Sequence, residues 1–598
     1  MKADAAGRHP APTARACQRP SLNRRICLAM LGLAIALPQG FIDPLDAAPN
    51  PSPPAFLVPE ADRGRIDSAL PDRAPAQPAR PRRLLIFERN VGYGGHPSIA
   101  HASLAFRRMG EKLDAYAAVT SQDPAVFERA RLAQFDAVLF NNTVGNLFTN
   151  ADLRQNLADF VCGGGGLMGL HGASVAFTRW PGAIEDWPEF GRMLGARGAN
   201  HRDSTEPVFV KVEDMAHPLT RMFDSRGFEY RDEFFRFHEV YSRQKVRVLL
   251  SIDTGRTDLN QGAPRGNCLR ADHDYALAWI RQYGRGRVFY STIAHNPYVF
   301  WDRSMLEFYL HAIQFALGDL DASTLPSARI TPAALAQDKL GWGIAFDPRT
   351  RPPASLFEAI DRTAALGLSH LVASDWLPIA PGRLGRFDAR LPADDRLSIR
   401  LKLDDAGVRI LAWRIDRAPA DPADWPSIFQ FARNLGIESL IVEPPLESLK
   451  ALESLCAAHG MQLAIPIHKH ASAPAFRSLE GFLETCPADM RHLGVWAGIE
   501  QWAASGIDPV RAVQRIGRRL FIVALPPSLA SRSDGADALA SLVRAMAAQF
   551  HRVGIRPILF ALDPAWDATG PEPDPATGIR FLETLSLDLA ASSTRTTP

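Results

Sequence analysis

Short apolar runs alternate with segments of helical spacing along most of the chain, and this alternation predicts an α/β fold. Between residues 83 and 320, the runs Leu84–Phe87, Ala137–Phe140 and Val288–Ile293 are typical of buried parallel strands. Helical segments around Ser98 and over Ala151–Phe160 lie between them. The first part is therefore expected to form a mostly parallel sheet with right-handed crossovers.

The alternation continues after residue 339, where strand-like and helix-like segments repeat over roughly 250 residues, the usual length of a (β/α)8 barrel. The predicted strands are Leu340–Phe346, His370–Ser374, Val408–Trp413, Ser439–Glu443, Gln462–His468, Arg519–Leu525 and Pro557–Leu562. We place the two domains at residues 83–320 and 339–590, joined by a linker at 321–338.

The first 48 residues are interpreted as a signal peptide. Arg24-Arg25 precede an apolar run, Ile26–Leu37, that is too short to span a bilayer and is followed by the small pair Ala47-Ala48. The arginine pair also resembles a twin-arginine export signal. The sequence thus favours a periplasmic or secreted protein without a transmembrane segment after cleavage, although an uncleaved N-terminal anchor is the alternative.

Residues 49–82 are rich in proline, alanine and charge, so we expect a disordered linker there, with structure beginning at Arg83 and a short disordered tail at 591–598. The net charge of the 598-residue chain is only +2, which gives no signal for a nucleic-acid partner. The six cysteines show no CxxC spacing. Disulfides Cys162–Cys268 or Cys456–Cys486 are conceivable in an exported chain, and buried free thiols are the alternative.

The segment Gly169-Leu170-His171-Gly172-Ala173 has the pattern of a nucleophile elbow, in which small residues flank a side chain at a strand-to-helix turn. The tip residue is His171. An imidazole at this position is suited to acid–base chemistry or metal binding rather than covalent acyl transfer. The alternative is a glycine-rich strand entry with a hydrogen-bonded histidine.

Polar residues follow the predicted strands of the first domain, where ligands of parallel α/β sheets usually bind. Asn90, Asn142, His171 and His295 all stand at such positions. We predict His171, Glu233 and His295 as catalytic residues. The predicted substrate-binding residues are His96, Asn142, Trp180, Asp232 and Asn296. The candidate metal ligands are His171, His201, His217 and Glu233.

This mixture of imidazole and carboxylate groups suits a divalent ion such as zinc or manganese. It would equally suit metal-free acid–base chemistry on a sugar, with aromatic side chains such as Trp180 as apolar platforms. Each histidine on its own has a structural alternative, because hydrogen-bonded histidines are common, and the aromatic residues have core packing as theirs.

Several motifs in one order make the first domain similar to the ThuA-like (trehalose utilisation) family. They are Gly95-His96-Pro97, the elbow, Ala216-His217-Pro218-Leu219, Arg231-Asp232-Glu233-Phe234 and the run Tyr283 to His295. The resemblance implies a flavodoxin-like sheet of the class I glutamine amidotransferase type, with His171 where those enzymes have a cysteine. The family resemblance also implies disaccharide or glycoside utilisation. Because the cysteine is missing, it argues against amidotransferase activity.

The second domain resembles the sugar phosphate isomerase/epimerase family, whose barrels are similar to xylose isomerase. The motifs are Ile441 to Pro445, Ile467 to His470 and Gln501 to Pro509. Isomerases of that family hold a metal with two Glu, an Asp and a His, of which only Glu443 is clearly present. Ala561 stands near the second Glu position, and Glu500 or Asp563 would have to substitute for the missing ligands. The resemblance therefore implies a degenerate barrel with Glu443, His468 and His470 as remnants.

The sequence as a whole predicts an exported two-domain protein of carbohydrate metabolism with a small-molecule carbohydrate as its partner. In the first hypothesis the ThuA-like domain acts on a glycoside or oxidised (keto) sugar by hydrolysis, elimination or isomerisation. The alternative is a non-catalytic sugar-binding or scaffold protein, so enzymatic activity stays open at this point.

Overall fold

The computed structural model describes residues 57–182, 184–237, 240–259, 270–349, 353–383, 385–525, 534–555, 558–562 and 575–593. The predicted signal peptide and the tail residues 594–598 lie outside these ranges. Residues Pro53–Pro598 form one compact unit that contains both predicted domains. Among the described helices, none has both the length and the apolar character that are needed to cross a membrane.

The first domain is built on a nine-stranded sheet in the order β2-β1-β3-β4-β13-β12-β11-β8-β9. Its parallel half contains β1 to β4 and β13, and its other half is antiparallel. The strands of this domain are β1 (Arg83–Phe87), β2 (Ala117–Ser121), β3 (Ala137–Asn141), β4 (Gly166–Leu170), β5 (Thr178–Arg179), β6 (Ile184–Glu185), β7 (Gly198–Asn200), β8 (Glu206–Val212), β9 (Gly227–Asp232), β10 (Arg236–Phe237), β11 (Arg247–Ile252), β12 (Ala276–Tyr283) and β13 (Gly286–Ser291).

Helices cover both faces of this sheet. They are α1 (Glu60–Ala69), α2 (Ser98–Leu113), α3 (Arg129–Leu132), α4 (Ala151–Cys162), α5 (Pro188–Leu194) and α6 (Arg303–Leu317). Successive side chains of β1 enter different cores, with Leu84 and Ile86 on one face and Leu85 and Phe87 on the other. Burial on both faces explains why the strand reads as an unbroken apolar run.

The second domain is a closed barrel of eight parallel strands, as the sequence predicted. The strands are β14 (Trp342–Phe346), β15 (His370–Ser374), β16 (Arg409–Arg414), β17 (Ser439–Ile441), β18 (Gln462–Pro466), β19 (Leu493–Gly498), β20 (Leu520–Leu525) and β21 (Ile558–Leu562). The helices are α7 (Pro332–Leu340), α8 (Leu356–Ala365), α9 (Ala393–Ala406), α10 (Trp425–Asn434), α11 (Leu449–His459), α12 (Leu479–Thr485), α13 (Ile499–Ala504), α14 (Pro509–Ile516), α15 (Asp534–Val553) and α16 (Pro575–Ser593).

Two stretches that we predicted as linkers contain helices. Helix α1 lies within 49–82 and buries Ile66 and Ala69, while Arg82 pairs with Asp319 at 2.6 Å. Helix α7 begins at residue 332, inside the predicted linker 321–338. In both cases a few apolar or charged contacts are enough to order the segment, because the rest of the protein already offers a surface for it to pack on.

The two domains meet at the amino ends of their parallel strands. Arg285, in the turn between β12 and β13, donates hydrogen bonds to the carbonyl oxygens of His459 and Gly460, just before β18. Gly284 lies against Gly436, just before β17, at a distance that leaves no room for a side chain. The carboxyl ends of both sets of strands therefore point away from the contact.

A candidate metal centre at the carboxyl edge of the sheet

Four side chains from four chain segments converge beyond the carboxyl ends of the parallel strands. His96 precedes α2, His171 follows β4, Glu233 follows β9 and His295 lies beyond β13. One ligand atom from each of these residues lies within 4.8 Å of every other. His96, His171 and Glu233 are buried, and His295 is partly buried. We refer to these four residues as the metal-ligand group.

The elbow holds His171 in a fixed orientation. Its backbone has φ = 40°, in the left-handed region that residues with side chains seldom adopt. The ring Nδ1 lies 2.9 Å from the carbonyl oxygen of Thr292, so Nδ1 must carry the proton and donate it. The backbone is held by hydrogen bonds from Tyr290 to the His171 carbonyl oxygen and from the Gly172 amide to Asn142.

The resulting tautomer leaves the lone pair of His171 Nε2 facing Glu233 Oε1 at 3.3 Å. A lone pair beside a carboxylate is unfavourable unless a proton or a cation lies between them. Two further buried nitrogen atoms, His96 Nδ1 and His295 Nδ1, also lack a hydrogen-bond partner. Three unpartnered imidazole nitrogens and one carboxylate fit a divalent cation, and this set resembles zinc sites more than oxygen-rich manganese sites.

Burial and neighbouring charges favour the protonation states in which these groups can bind a metal. Burial, together with the neighbouring His171 and His295, holds the pKa of His96 well below its usual value. Burial lowers the pKa of His295 to about 4, again with a contribution from His171. For Glu233, burial opposes ionisation, but hydrogen bonds and charge from His171 and His201 outweigh it and lower the pKa. At neutral pH the group therefore offers neutral imidazoles at His96 and His295 and an ionised carboxylate at Glu233.

Several predicted substrate-binding residues lie behind the ligands and position them. Asp232 is fully buried and accepts hydrogen bonds from the backbone amides of His295 and Asn296, at 3.2 Å and 3.1 Å. Burial raises the pKa of Asp232 to about 6. Asn142 donates to the carbonyl oxygen of Ala294 at 2.8 Å. These residues fix the loop that carries His295 rather than offering free groups to a substrate.

Two other predicted residues lie at the edge of the metal-ligand group. His201 Nδ1 is 3.1 Å from Glu233 Oε2, and its side chain is 21% exposed. Trp180 is 38% exposed and packs edge-on against Tyr93, whose ring in turn lies 5.0 Å from His96. Tyr93 was not predicted as a site residue, although it stands in the same glycine-rich loop as His96.

Thr292 and Phe235 also belong to the site, although neither was predicted as a site residue. Thr292 accepts the proton of His171 with its carbonyl oxygen, and its hydroxyl accepts the Phe235 amide at 2.8 Å. The Phe235 ring lies 4.7 Å from the His171 ring. The position of Thr292 directly after β13 was a usable signal, whereas the orientation of Phe235 depends on the folded loop.

We expect Gly172→Ala to weaken metal binding by about 10- to 100-fold, the usual effect of disturbing the partners of a ligand. A Cβ atom at residue 172 would lie 3.2 Å from His96 Cε1 and 3.0 Å from Val144 Cγ2, so the His96 ring must shift. Metal titration of the metal-free protein measures the effect. Gly94→Ala is the matched control, because no atom lies within 4 Å of its Cβ position. Equal affinities of the two variants would contradict the prediction.

The structure places His217 away from the metal-ligand group. Its Nε2 lies 3.0 Å from the Ser323 carbonyl oxygen, and its Nδ1 accepts the Leu219 amide at 3.2 Å. Both ring nitrogens are therefore used in a local turn, and neither is available to a metal.

Burial lowers the pKa of His217 below the usual 6.5, which predicts an acid-sensitive fold. Below pH 6.5 the unfolded chain binds a proton that the folded chain does not, so stability falls as the pH decreases. His217→Asn keeps an acceptor for the Leu219 amide and should lessen this loss by about 1.4 kcal/mol per unit of pKa shift. Urea unfolding at pH 7 and pH 5 measures it, and an unchanged pH dependence would contradict the assignment.

In the barrel, the structure brings two of the three remnant residues together. His468 Nε2 lies 3.1 Å from Glu443 Oε1, while His470 is exposed. Ala561 is buried inside the barrel, and its methyl side chain has no donor atom for a metal. Among the described residues of the barrel, no cluster of three His, Cys, Asp or Glu side chains is placed to hold a metal.

The barrel mouth has an ion-paired cluster instead. Arg414 donates to Asp347 at 2.9 Å, and the Arg414 and Arg349 guanidinium groups lie over the ring of Trp496. Trp496 fills the barrel interior.

The three cysteines in the described ranges, Cys162, Cys456 and Cys486, are buried free thiols, and Cys268 lies outside those ranges.

The fold and site thus define a two-domain α/β protein with a candidate metal centre in its first domain. Residues 83–316 match the ThuA family model, which is described as trehalose utilisation, so the chain contains a ThuA domain, as the motifs predicted. No curated protein sequence matches the chain.

Solved structures similar to each domain share little sequence with this chain. A ThuA-like protein from Bacteroides uniformis is 19% identical, with 40% of this chain and 94% of that protein covered and a TM-score of 0.34. The 3-keto-D-glucoside 4-epimerase of E. coli is 11% identical, with 42% and 99% covered and a TM-score of 0.30. A sugar phosphate isomerase/epimerase from Parabacteroides distasonis is 13% identical, with 42% and 94% covered and a TM-score of 0.30.

Proposed function

We propose that the first domain is a divalent-metal enzyme that acts on a glycoside or an oxidised (keto) sugar. The observation that carries the proposal is the convergence of three unpartnered buried imidazole nitrogens with the Glu233 carboxylate. The carbohydrate substrate is supported by the ThuA family description, and the partly exposed Trp180 beside Tyr93 offers an apolar platform for a sugar ring.

Within this proposal, His96, His171, His295 and Glu233 hold the metal. A divalent cation at this position would polarise a substrate carbonyl oxygen and stabilise the negative charge that develops on it. Proton removal next to that carbonyl then needs a base within reach of the bound sugar. His201 is partly exposed and borders the ligands, so we assign it the proton transfer that leads to elimination or isomerisation.

The remaining residues keep the site in place during this reaction. Asp232 and Asn142 hold the loop of His295 through backbone hydrogen bonds, and Thr292 fixes the His171 tautomer. The export signal predicted at residues 1–48 supports a periplasmic or secreted location for this activity. Fractionation of cells that express the chain with Arg24-Arg25 changed to lysines tests that location.

The deciding experiment combines metal analysis with a substrate screen on the purified protein. We expect about one equivalent of zinc, and turnover of keto-glycosides that is lost on chelation and restored by zinc. His201→Gln should lower kcat while the metal stays bound, and Glu443→Gln in the barrel mouth is the matched control. Sugar binding without turnover, with or without metal, would instead support the non-catalytic alternative.

A further inference from the structure

A cavity of about 220 Å³ lies at the junction of the two domains, and the proposed function does not use it. It lies between the β12–β13 turn, the segment that joins the domains and the amino ends of the barrel strands. This is the side opposite to the metal-ligand group. Its lining is rich in cationic side chains: Lys245, Arg281, Arg329, Arg400 and Arg409, against the two carboxylates Asp338 and Asp404.

Most of these cations have an acidic partner. Arg281 and Lys245 both bind Asp404, with Lys245 Nζ at 3.3 Å. Arg400 binds Glu189 at 2.6 Å, and Arg409 binds Glu438 at 2.6 Å. These pairs explain why arginines can line the contact between the domains, since each buried charge is compensated nearby.

Arg329 is the exception. Its guanidinium donates to the Ser369 hydroxyl at 2.7 Å and to the Gly407 carbonyl oxygen at 3.3 Å, which are both neutral acceptors. None of the ion pairs found among the described residues includes it. Burial lowers the pKa of Arg329 without an opposing contribution from a carboxylate. A half-buried cation in this situation favours binding of an anion from solution.

Further donors in the lining lack a hydrogen bond, and the nearest carboxylate oxygen to Arg400 Nη1 in an ion pair is Asp159 Oδ1, at 3.7 Å. Arg409 Nε and Arg400 Nη1 are both buried without a hydrogen-bond partner, and the Arg400 side chain is only 2% exposed. Burial, together with the positive charges of the nearby Arg409 and Arg329, lowers the pKa of His370 to about 4. Guanidinium N–H groups suit oxyanions because they bind two oxygen atoms at once.

We propose that this junction cavity binds a small phosphate-type anion, either free phosphate or the phosphate group of a small sugar phosphate. Arg329 and Arg409 are its main ligands. The volume is below that of usual pockets for drug-sized ligands, so it suits a small anion and not a disaccharide. A bound anion would connect the interdomain segment at Arg329 with the barrel at Arg409, and thereby stabilise the junction.

Thermal unfolding and calorimetric titration of the full chain test this, with inorganic phosphate, glucose 6-phosphate and sodium chloride of matched ionic strength as probes. We expect saturable stabilisation by phosphate or the sugar phosphate and no effect of chloride. Whichever binds more tightly identifies the source of the anion. Arg329→Gln should weaken binding by about 10- to 100-fold, the usual loss for a hydrogen bond to a charged group.

Three variants make the result decisive. Gln282→Glu is isosteric and places a carboxylate next to Arg409, which the Gln282 side chain already contacts at 2.9 Å, so it should fold normally and bind phosphate more weakly. Arg390→Gln changes an exposed barrel arginine and should have no effect. Glu233→Gln should leave phosphate binding intact. Equal effects of phosphate and chloride, or phosphate binding that survives both cavity variants or depends on Glu233, would overturn the proposal.

Discussion

A His171→Ala variant is expected to lose the zinc ion that we propose for this site, and with it all of the proposed turnover of carbohydrate substrates. The imidazole supplies one of the four ligand atoms, and its Nε2 is the atom that the Thr292 hydrogen bond directs at Glu233. Metal affinity should fall by more than the about 10- to 100-fold that loss of an outer partner of a ligand costs. Elemental analysis after dialysis, together with competition against a metal-binding dye, measures the loss.

His470→Ala is the matched control, because His470 is an exposed imidazole in the barrel. That variant should keep a full equivalent of zinc. Circular dichroism of both variants shows whether the fold is kept. If a folded His171→Ala protein retained its zinc and its activity, the metal-ligand group would not be the metal site.

Arg400→Met is expected to destabilise the protein by about 3–5 kcal/mol, the usual cost of removing one partner of a buried ion pair. Arg400 projects from α9 of the barrel and binds Glu189 in α5 of the ThuA domain, and both side chains are at least 95% buried. The variant leaves the Glu189 carboxylate buried with only the Tyr283 hydroxyl, at 3.1 Å. Urea unfolding measures the loss of stability. Because the ion pair joins the two domains, the variant should also unfold them in two separate transitions.

A second substitution tests whether the stranded charge is the cause. Adding Glu189→Gln to Arg400→Met removes that charge, so the double variant should be more stable than Arg400→Met alone. Arg515→Gln is the comparison for an exposed ion pair, because Arg515 and Glu480 are 49% and 61% exposed. Its effect should stay below about 1 kcal/mol. A similar small effect for Arg400→Met would show that the pair does not hold the domains together.

The sequence was sufficient to predict β1, β3, β4 and β13 of the first domain and seven of the eight barrel strands, because strands buried on both faces leave continuous apolar runs. It did not reveal the parallel strands β2, in which no residue is buried, and β19. It was not sufficient for the antiparallel strands β8, β9, β11 and β12. In β8, for example, buried and exposed residues alternate, so the segment has no long apolar run. Helix α1 was missed because three buried residues, Ile66, Ala69 and Leu70, are enough to anchor it.

For the site, the rule that ligands bind at the carboxyl ends of parallel strands located His171 and His295. That rule could not predict which of the histidines would be metal ligands and which would have structural roles. His96 was predicted to bind substrate and His217 to bind metal, whereas the structure puts His96 among the candidate metal ligands and His217 in a turn. Which ring nitrogen faces the metal depends on hydrogen bonds made by distant residues, such as that of His171 to Thr292.

The contact between the amino ends of the two sets of strands has a consequence for how small compounds could pass from one domain to the other. The domains touch at the amino ends of their strands, so the cleft of the first domain and the mouth of the barrel face away from each other. A compound released from one must diffuse through the surrounding fluid to reach the other. Fusion of the two domains therefore fixes their ratio at one to one and keeps them together, but leaves every exchanged compound open to capture by other proteins.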